Sequence, residues 1–455
     1  MKKFLMFAAA ATVFAACSQN DELSAPAAGL KSSVETNAVG FDVYAGRGVT
    51  RAGVPGDITN TTIKTSGFGV FGYYTDNGEY DENISTPNFM YNQQITHDGS
   101  AWTYEPVKYW PNEYGSNAVS DETDKLTFFA YGPYVDVIPS TGKISSDADW
   151  GITGLTRNTA SGDPLVKYIV SFDPAKSVDL VWGTVANETA YTSWAKTQGG
   201  NQTLTAGLPW LNVERPADAT GASQKVKFDF KHATSKLNVQ IAYYADKQDN
   251  SSSEEIAAAD TKIYVRSITF TGIATKGALN LNNTVAGEAL WMSYNGCDDL
   301  ENSESVTVFD GRKDGKEGVS GAVASNEKIT GLNTAVISND GNTTAGVTKT
   351  LQNLFKDTAP VYVIPTGEAV SVEIVYDVET ADTKLADVLS DGTTHGSSIE
   401  NRIKKDITAF ASFENGKAYT LNLYLGMNSV KIDATVSDWD STTAAEDADL
   451  PANQN

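Results

Sequence analysis

Apolar residues recur in this chain with a period of two over one segment after another, and that pattern commits it to β-strands that bury one face. Val370, Val372, Ile374, Tyr376 and Val378 alternate with Ser371, Glu373, Val375 and Asp377, and Tyr419, Leu421, Leu423 and Leu425 repeat the pattern. Val430, Ile432, Ala434 and Val436 then alternate with Lys431, Asp433, Thr435 and Ser437. Earlier runs, Gly67 to Tyr74, Leu126 to Tyr131, Val226 to Phe230 and Leu237 to Tyr243, are β-branched and aromatic and are bounded by Gly, Asn, Asp and Pro. Helical periodicity is scarce. Leu351, Leu354 and Phe355 predict a turn or two, and Ile399, Ile403 and Ile407, at spacing four behind Ser397 or Ser398 as cap, predict a short amphipathic helix. The whole predicts an all-β fold of two β-sandwich domains in tandem, since only one side of each sheet then meets a core.

The first residues predict export. Lys2 and Lys3 form a basic start, Phe4 to Ala16 form an apolar run too short to span a bilayer comfortably, and Cys17 follows two alanines. This is the arrangement of a bacterial lipoprotein signal, residues 1–16, with Cys17 as the lipidated mature terminus. Residues 17–33, rich in Ser, Ala and Pro, have too little apolar content to fold alone and read as a tether. The small polar segment Pro216 to Ser223 is the expected boundary between an N-terminal domain, 34–215, and a C-terminal one, 224–440; residues 441–455 read as an acidic tail. Removing the signal leaves Cys297 alone, so no internal disulfide is available and stability must come from core area. The formal charge of −23, which becomes −25 without Lys2 and Lys3, argues against nucleic acid and anionic lipid as partners.

Nothing in the sequence assembles a catalytic, cofactor or metal site. His97, His232 and His395 sit in three separate segments without paired ligand spacing. His232 is in strand phase with Phe228 and Phe230 and is expected to be packed with a hydrogen-bond partner. Phosphate-binding and dinucleotide loops, nucleophile elbows and EF-hand loops are absent; Ser140-Thr-Gly-Lys143 lacks the companion motifs its pattern would need. Asp76 to Asn83 could offer calcium several carboxylates, but the oxygens follow no recognised loop and a solvated hairpin turn is the preferred reading. Trp102, Tyr104, Tyr109, Trp110, Tyr131, Tyr134 and Trp182 could stack on sugars if exposed, and are read as core.

Three motifs carry a resemblance. Trp102-Thr-Tyr-Glu-Pro-Val-Lys-Tyr-Trp110-Pro111 followed by Leu126 to Tyr131 resembles the N-terminal domain signature of Bacteroidota fimbrillin-like proteins. Phe230-Lys-His-Ala-Thr-Ser-Lys-Leu-Asn-Val239 resembles the first strand of their second domain, and Val436-Ser-Asp-Trp439 their closing strand. The acidic pair Asp21-Glu22 resembles a surface-export signal of lipoproteins from the same phylum. The resemblance implies transthyretin-like sandwiches and a precursor anchored through Cys17 in the outer leaflet of the outer membrane. It also implies cleavage after Arg51, ahead of Ala52, by an arginine-specific protease, with Arg47 in reserve. Cleavage there would remove residues 34–51, including the alternating Val39, Phe41 and Val43, and a strand from another pilin subunit would fill the groove. The implied function is an adhesive pilus subunit meeting a host or bacterial receptor in the extracellular space. The rival reading is an uncleaved glycan-binding or accessory lipoprotein. Ser441 to Asn455 has Leu450 as its one large apolar residue, so either Val430 to Trp439 donates a strand or the subunit is terminal.

Overall fold

The computed structural model describes residues 38–45, 57–111, 123–146, 148–186, 193–195, 201–216, 225–243, 261–296, 300, 305–310, 351–355, 360–389, 392–425 and 430–439. Strands dominate, and among the described residues the one helix is Thr62–Ser66. The all-β expectation holds.

An eight-stranded sheet runs in the order Phe41–Tyr44, Val226–His232, Val181–Val185, Lys125–Gly132, Phe68–Tyr74, Met90–His97, Trp102–Thr103, with Trp210–Glu214 also pairing to Lys125–Gly132. Its central strands are apolar on both faces. Phe68, Val70, Phe128 and Phe228 turn into one buried cluster, while Phe71, Tyr73, Phe129, Tyr131 and Trp182 turn into another. Strands covered on both faces, such as Phe68–Tyr74 and Lys125–Gly132, have no polar face to show, so those runs are nearly continuous in apolar residues. A six-stranded sheet joins Leu290–Met292, Lys276–Asn280, Leu165–Ile169, Gly151–Leu155, Lys143–Ile144 and Val137–Ile138. Another is built on Ser235–Tyr243, flanked by Val361–Pro365 and Lys417–Leu425, with Val430–Asp438 at its edge. A four-stranded sheet holds Val306–Asp310, Thr261–Thr271, Ser371–Ala381 and Gly396–Asp406.

Strands from both sides of the 216–223 segment share sheets. Val226–His232 completes the sheet of the earlier strands, and Lys276–Asn280 pairs with Leu165–Ile169. After Ala233 and Thr234 the chain passes from the first of these sheets into the centre of the Ser235–Tyr243 sheet.

Neither predicted helical segment is a helix, and each contributes a strand: Gly396–Asp406 and the short Gln352–Asn353. Gly396–Asp406 pairs with Ser371–Ala381 over eleven registered positions, with Ile399 opposite Val378 and Ile403 opposite Ile374. Spacing four suits either structure, being close to one helical turn and also two strand repeats, and the long ladder decides between them. Gln352–Asn353 pairs with Ser235–Tyr243, the Leu354 N–H donates to the Val239 carbonyl at 2.8 Å, and Leu354 and Phe355 are buried.

The cores are rich in neutral phenols. Burial raises the pKa of Tyr73, Tyr131, Tyr168 and Tyr362 well above the usual 10, and that of Tyr91 to about 12. Raised folded values mean that the stability these groups contribute is complete below about pH 10 and is lost as pH rises through the folded values. Absorbance at 295 nm should therefore show buried tyrosinate appearing in one step that coincides with loss of the far-ultraviolet dichroism. Smooth ionisation of every tyrosine with the strands intact would contradict the packing described.

Candidate functional site: the seat of the N-terminal strand

Phe41–Tyr44 is short, lies at the border of the eight-stranded sheet, and runs parallel to Val226–His232 in the register Phe41 to Val226 through Tyr44 to Asp229. The Val226 N–H donates to the Gly40 carbonyl at 3.0 Å. On the other side the motif that begins at Trp102 wraps over the strand. Ala38 bridges Tyr109, the Val39 N–H donates to the Lys108 carbonyl at 2.9 Å, and the Tyr104 hydroxyl donates to the Val39 carbonyl at 2.7 Å. The strand ends at Ala45, whose N–H donates to the side-chain oxygen of Asn60 at 2.7 Å.

Side chains fill the space between those two walls. Val39, Phe41 and Ala45 are buried, and Val43 is half-buried against the same cluster. The Phe41 ring meets Tyr104 edge-on at 5.5 Å and Phe128 at 5.8 Å, and stacks on Phe228 at 6.0 Å. Trp110 closes the bed behind Phe128 at 6.0 Å. Gly183 makes room for this arrangement, because a Cβ there would come within 2.7 Å of the Phe228 ring. Losing the strand would uncover an aromatic trough and remove the strand's hydrogen bonds to the Val226 N–H and the Lys108 carbonyl, and both effects are costly.

Of the aromatics singled out in the sequence, Trp110, Tyr131 and Trp182 are buried, and Trp102, Tyr104, Tyr109 and Tyr134 are half-buried. Asp76 to Asn83 forms turns. The Gly78 N–H donates to the Thr75 carbonyl at 2.9 Å, and the Asp81 carboxylate accepts the Asn83 N–H at 2.8 Å. His232 is buried with its Nδ1 2.9 Å from the Asp179 carboxylate. Full burial raises the Asp179 pKa, and the facing imidazole opposes that rise. Cys17, Arg47, Arg51 and Ala52 lie outside the described residues.

A second buried arrangement brings together residues that no local spacing announces. Asp57, Asp179, Lys236, Tyr362 and Trp439 come from five distant segments and meet around His232. The family-like motifs at 230–239 and 436–439 pointed to two of those segments, but nothing in sequence marks Asp57 or Asp179 as their partners.

No protein-family model matches the chain. Over 99% of its length it is 26% identical to Fimbrium subunit Fim1C of Phocaeicola vulgatus, of which the match covers 98%. Among solved structures it shares its fold with a fimbrial protein from Bacteroides vulgatus, at a TM-score of 0.50 and 22% identity, over 89% of this chain and 99% of that one. The chain is thus similar over nearly its whole length to a fimbrium subunit, and it shares the fold of a fimbrial protein from the Bacteroidales.

Proposed function

We infer that the protein is a structural and adhesive subunit of a cell-surface fimbria that assembles by strand exchange in the seat now occupied by Phe41–Tyr44. The observation that carries this reading is the construction of that seat. Its occupant is a border strand buried between two walls, and it is joined to the rest of the fold through residues 46–56, which contain Arg47 and Arg51. Cleavage after Arg51 would free the strand without cutting any described strand. An apolar trough flanked by unpaired backbone is a template for another chain, and a head-to-tail contact of that kind builds an open filament.

In this reading the precursor is a lipoprotein held through Cys17 on the outer membrane, and an arginine-specific protease releases a mature chain beginning at Ala52. The two domains are residues 34–215 and 224–440, with Val226–His232 and Lys276–Asn280 of the second pairing with strands of the first. The burial of Trp110, Tyr131 and Trp182 weighs against the glycan-binding alternative, because those rings are packed in the core rather than offered to a sugar.

The test is the N-terminal sequence and intact mass of the protein from the cell surface, with and without an arginine-protease inhibitor. The expected result is a start at Ala52 that disappears under inhibition. A lipidated Cys17 in both samples would overturn the processing step and leave an anchored accessory lipoprotein.

A further inference from the structure

Asp57, close after the Arg51 segment, and Trp439, directly after the edge strand Val430–Asp438, lie in one cluster of half-buried and buried side chains. The Asp57 carboxylate accepts Lys236 Nζ at 2.5 Å and also the hydroxyl of Tyr362. Next in sequence, the Ile58 N–H donates to Asp179 at 2.7 Å, and Asp179 holds His232. Trp439 rests on the groups so fixed. Its ring lies parallel to His232 at 3.9 Å and to Tyr362 at 5.3 Å, with Lys236 Nζ 5.1 Å from its centroid.

Trp439 follows directly on the edge strand Val430–Asp438, and its burial contrasts with the exposed Val436, Ser437 and Asp438 before it. Its indole N–H is buried and meets no acceptor among the described residues. The Trp439 backbone N–H donates to the Gly416 carbonyl at 2.9 Å, while its side chain is seated on ring faces and a neighbouring cation, which Asp57 and Asp179 hold in place. An aromatic stack and a half-buried cation each favour the bound ring by an amount set by their placement, so disturbing Asp57 disturbs the platform.

We propose that this cluster is a clasp coupling the segment that follows Arg51 to the edge strand Val430–Asp438, in which Asp57 holds Lys236 and Tyr362 in place for Trp439 and so keeps that strand in its own sheet. Displacing residues 57 and 58 opens the clasp and loosens that strand. The clasp stands on its own geometry, while its use in assembly, freeing the closing strand for exchange once the N-terminal strand has gone, rests on the fimbrial reading above. It would make the edge strand available in response to an event near Arg51.

Amide hydrogen exchange on the full, uncut chain tests the coupling apart from any processing. In Asp57→Ala, protection over 430–438 is expected to fall at least tenfold, with 41–44 and 226–232 keeping theirs and far-ultraviolet dichroism unchanged. Trp439→Ala should produce the reciprocal loss over 57–66. Equal protection of 430–438 in wild type and Asp57→Ala, or a uniform loss across all strands, would overturn the clasp. If Asp57→Ala does not fold, Asp57→Asn, which removes the charge facing Lys236 and keeps an acceptor for Tyr362, is read by the same criterion. Failure of the Ala52 start under the sequencing test would instead sink the processing step and leave the clasp intact.

Discussion

A chain beginning at Ala52 unfolds at markedly lower denaturant than the uncut chain, and an added peptide of residues 38–45 restores much of the difference. The strand contributes buried Val39, Phe41 and Ala45, its ladder to Val226, and the Tyr104 and Lys108 bonds to Val39. Burial of the Phe41 side chain alone is worth about 2–3 kcal/mol. In the uncut chain, Phe41→Ala also leaves a cavity beside Phe128 and Phe228, for a total cost of about 3–5 kcal/mol. Because the peptide binds the folded state, its effect must grow with the logarithm of its concentration. The same peptide carrying Phe41→Ala should do little. Urea unfolding of the four combinations decides the matter; a cut chain as stable as the uncut one, or a peptide without effect, would show that the trough closes on itself and needs no second strand.

Breaking the Asp179–His232 pair is expected to be the most damaging change away from that strand. Both side chains are buried, and Asp179 also accepts the Ile58 N–H, so replacing either partner with alanine strands a buried polar group at a cost of about 3–5 kcal/mol. Replacing both should cost clearly less than the sum of the single changes, because the second removes the group that the first left unpaired. A double-mutant cycle followed by urea unfolding measures this. Additive single costs would mean that the two side chains are satisfied by other neighbours and that the pair is incidental.

These results depend on features that differ in how far they could be read from the chain. Alternation at 370–378, 419–425 and 430–436 gave strands where strands exist, because side chains on a strand point to alternate faces and write a two-residue period into the sequence, although Ser371–Ala381 buries Asp377 and Glu379 as well. Val39, Phe41 and Val43 were equally legible as a strand. The parallel partner of that strand was not, since Val226 lies far along the chain and no spacing rule links the two. Ile399, Ile403 and Ile407 misled because their interval satisfies two periodicities at once.

By itself the sequence determined an all-β chain, and it carries motifs that resemble those of fimbrillin-like proteins. Those properties are local: they reside in composition, in period-two patterning and in short ordered motifs. Only the tertiary structure decided that strands on both sides of 216–223 share sheets, that Tyr104 and Phe228 make the walls around Phe41, and that Asp57 and Trp439 meet at His232. Long-range pairing is chosen by which backbone edges and side-chain shapes can be buried together, and a burial shared by residues hundreds of positions apart leaves no periodic trace in either segment.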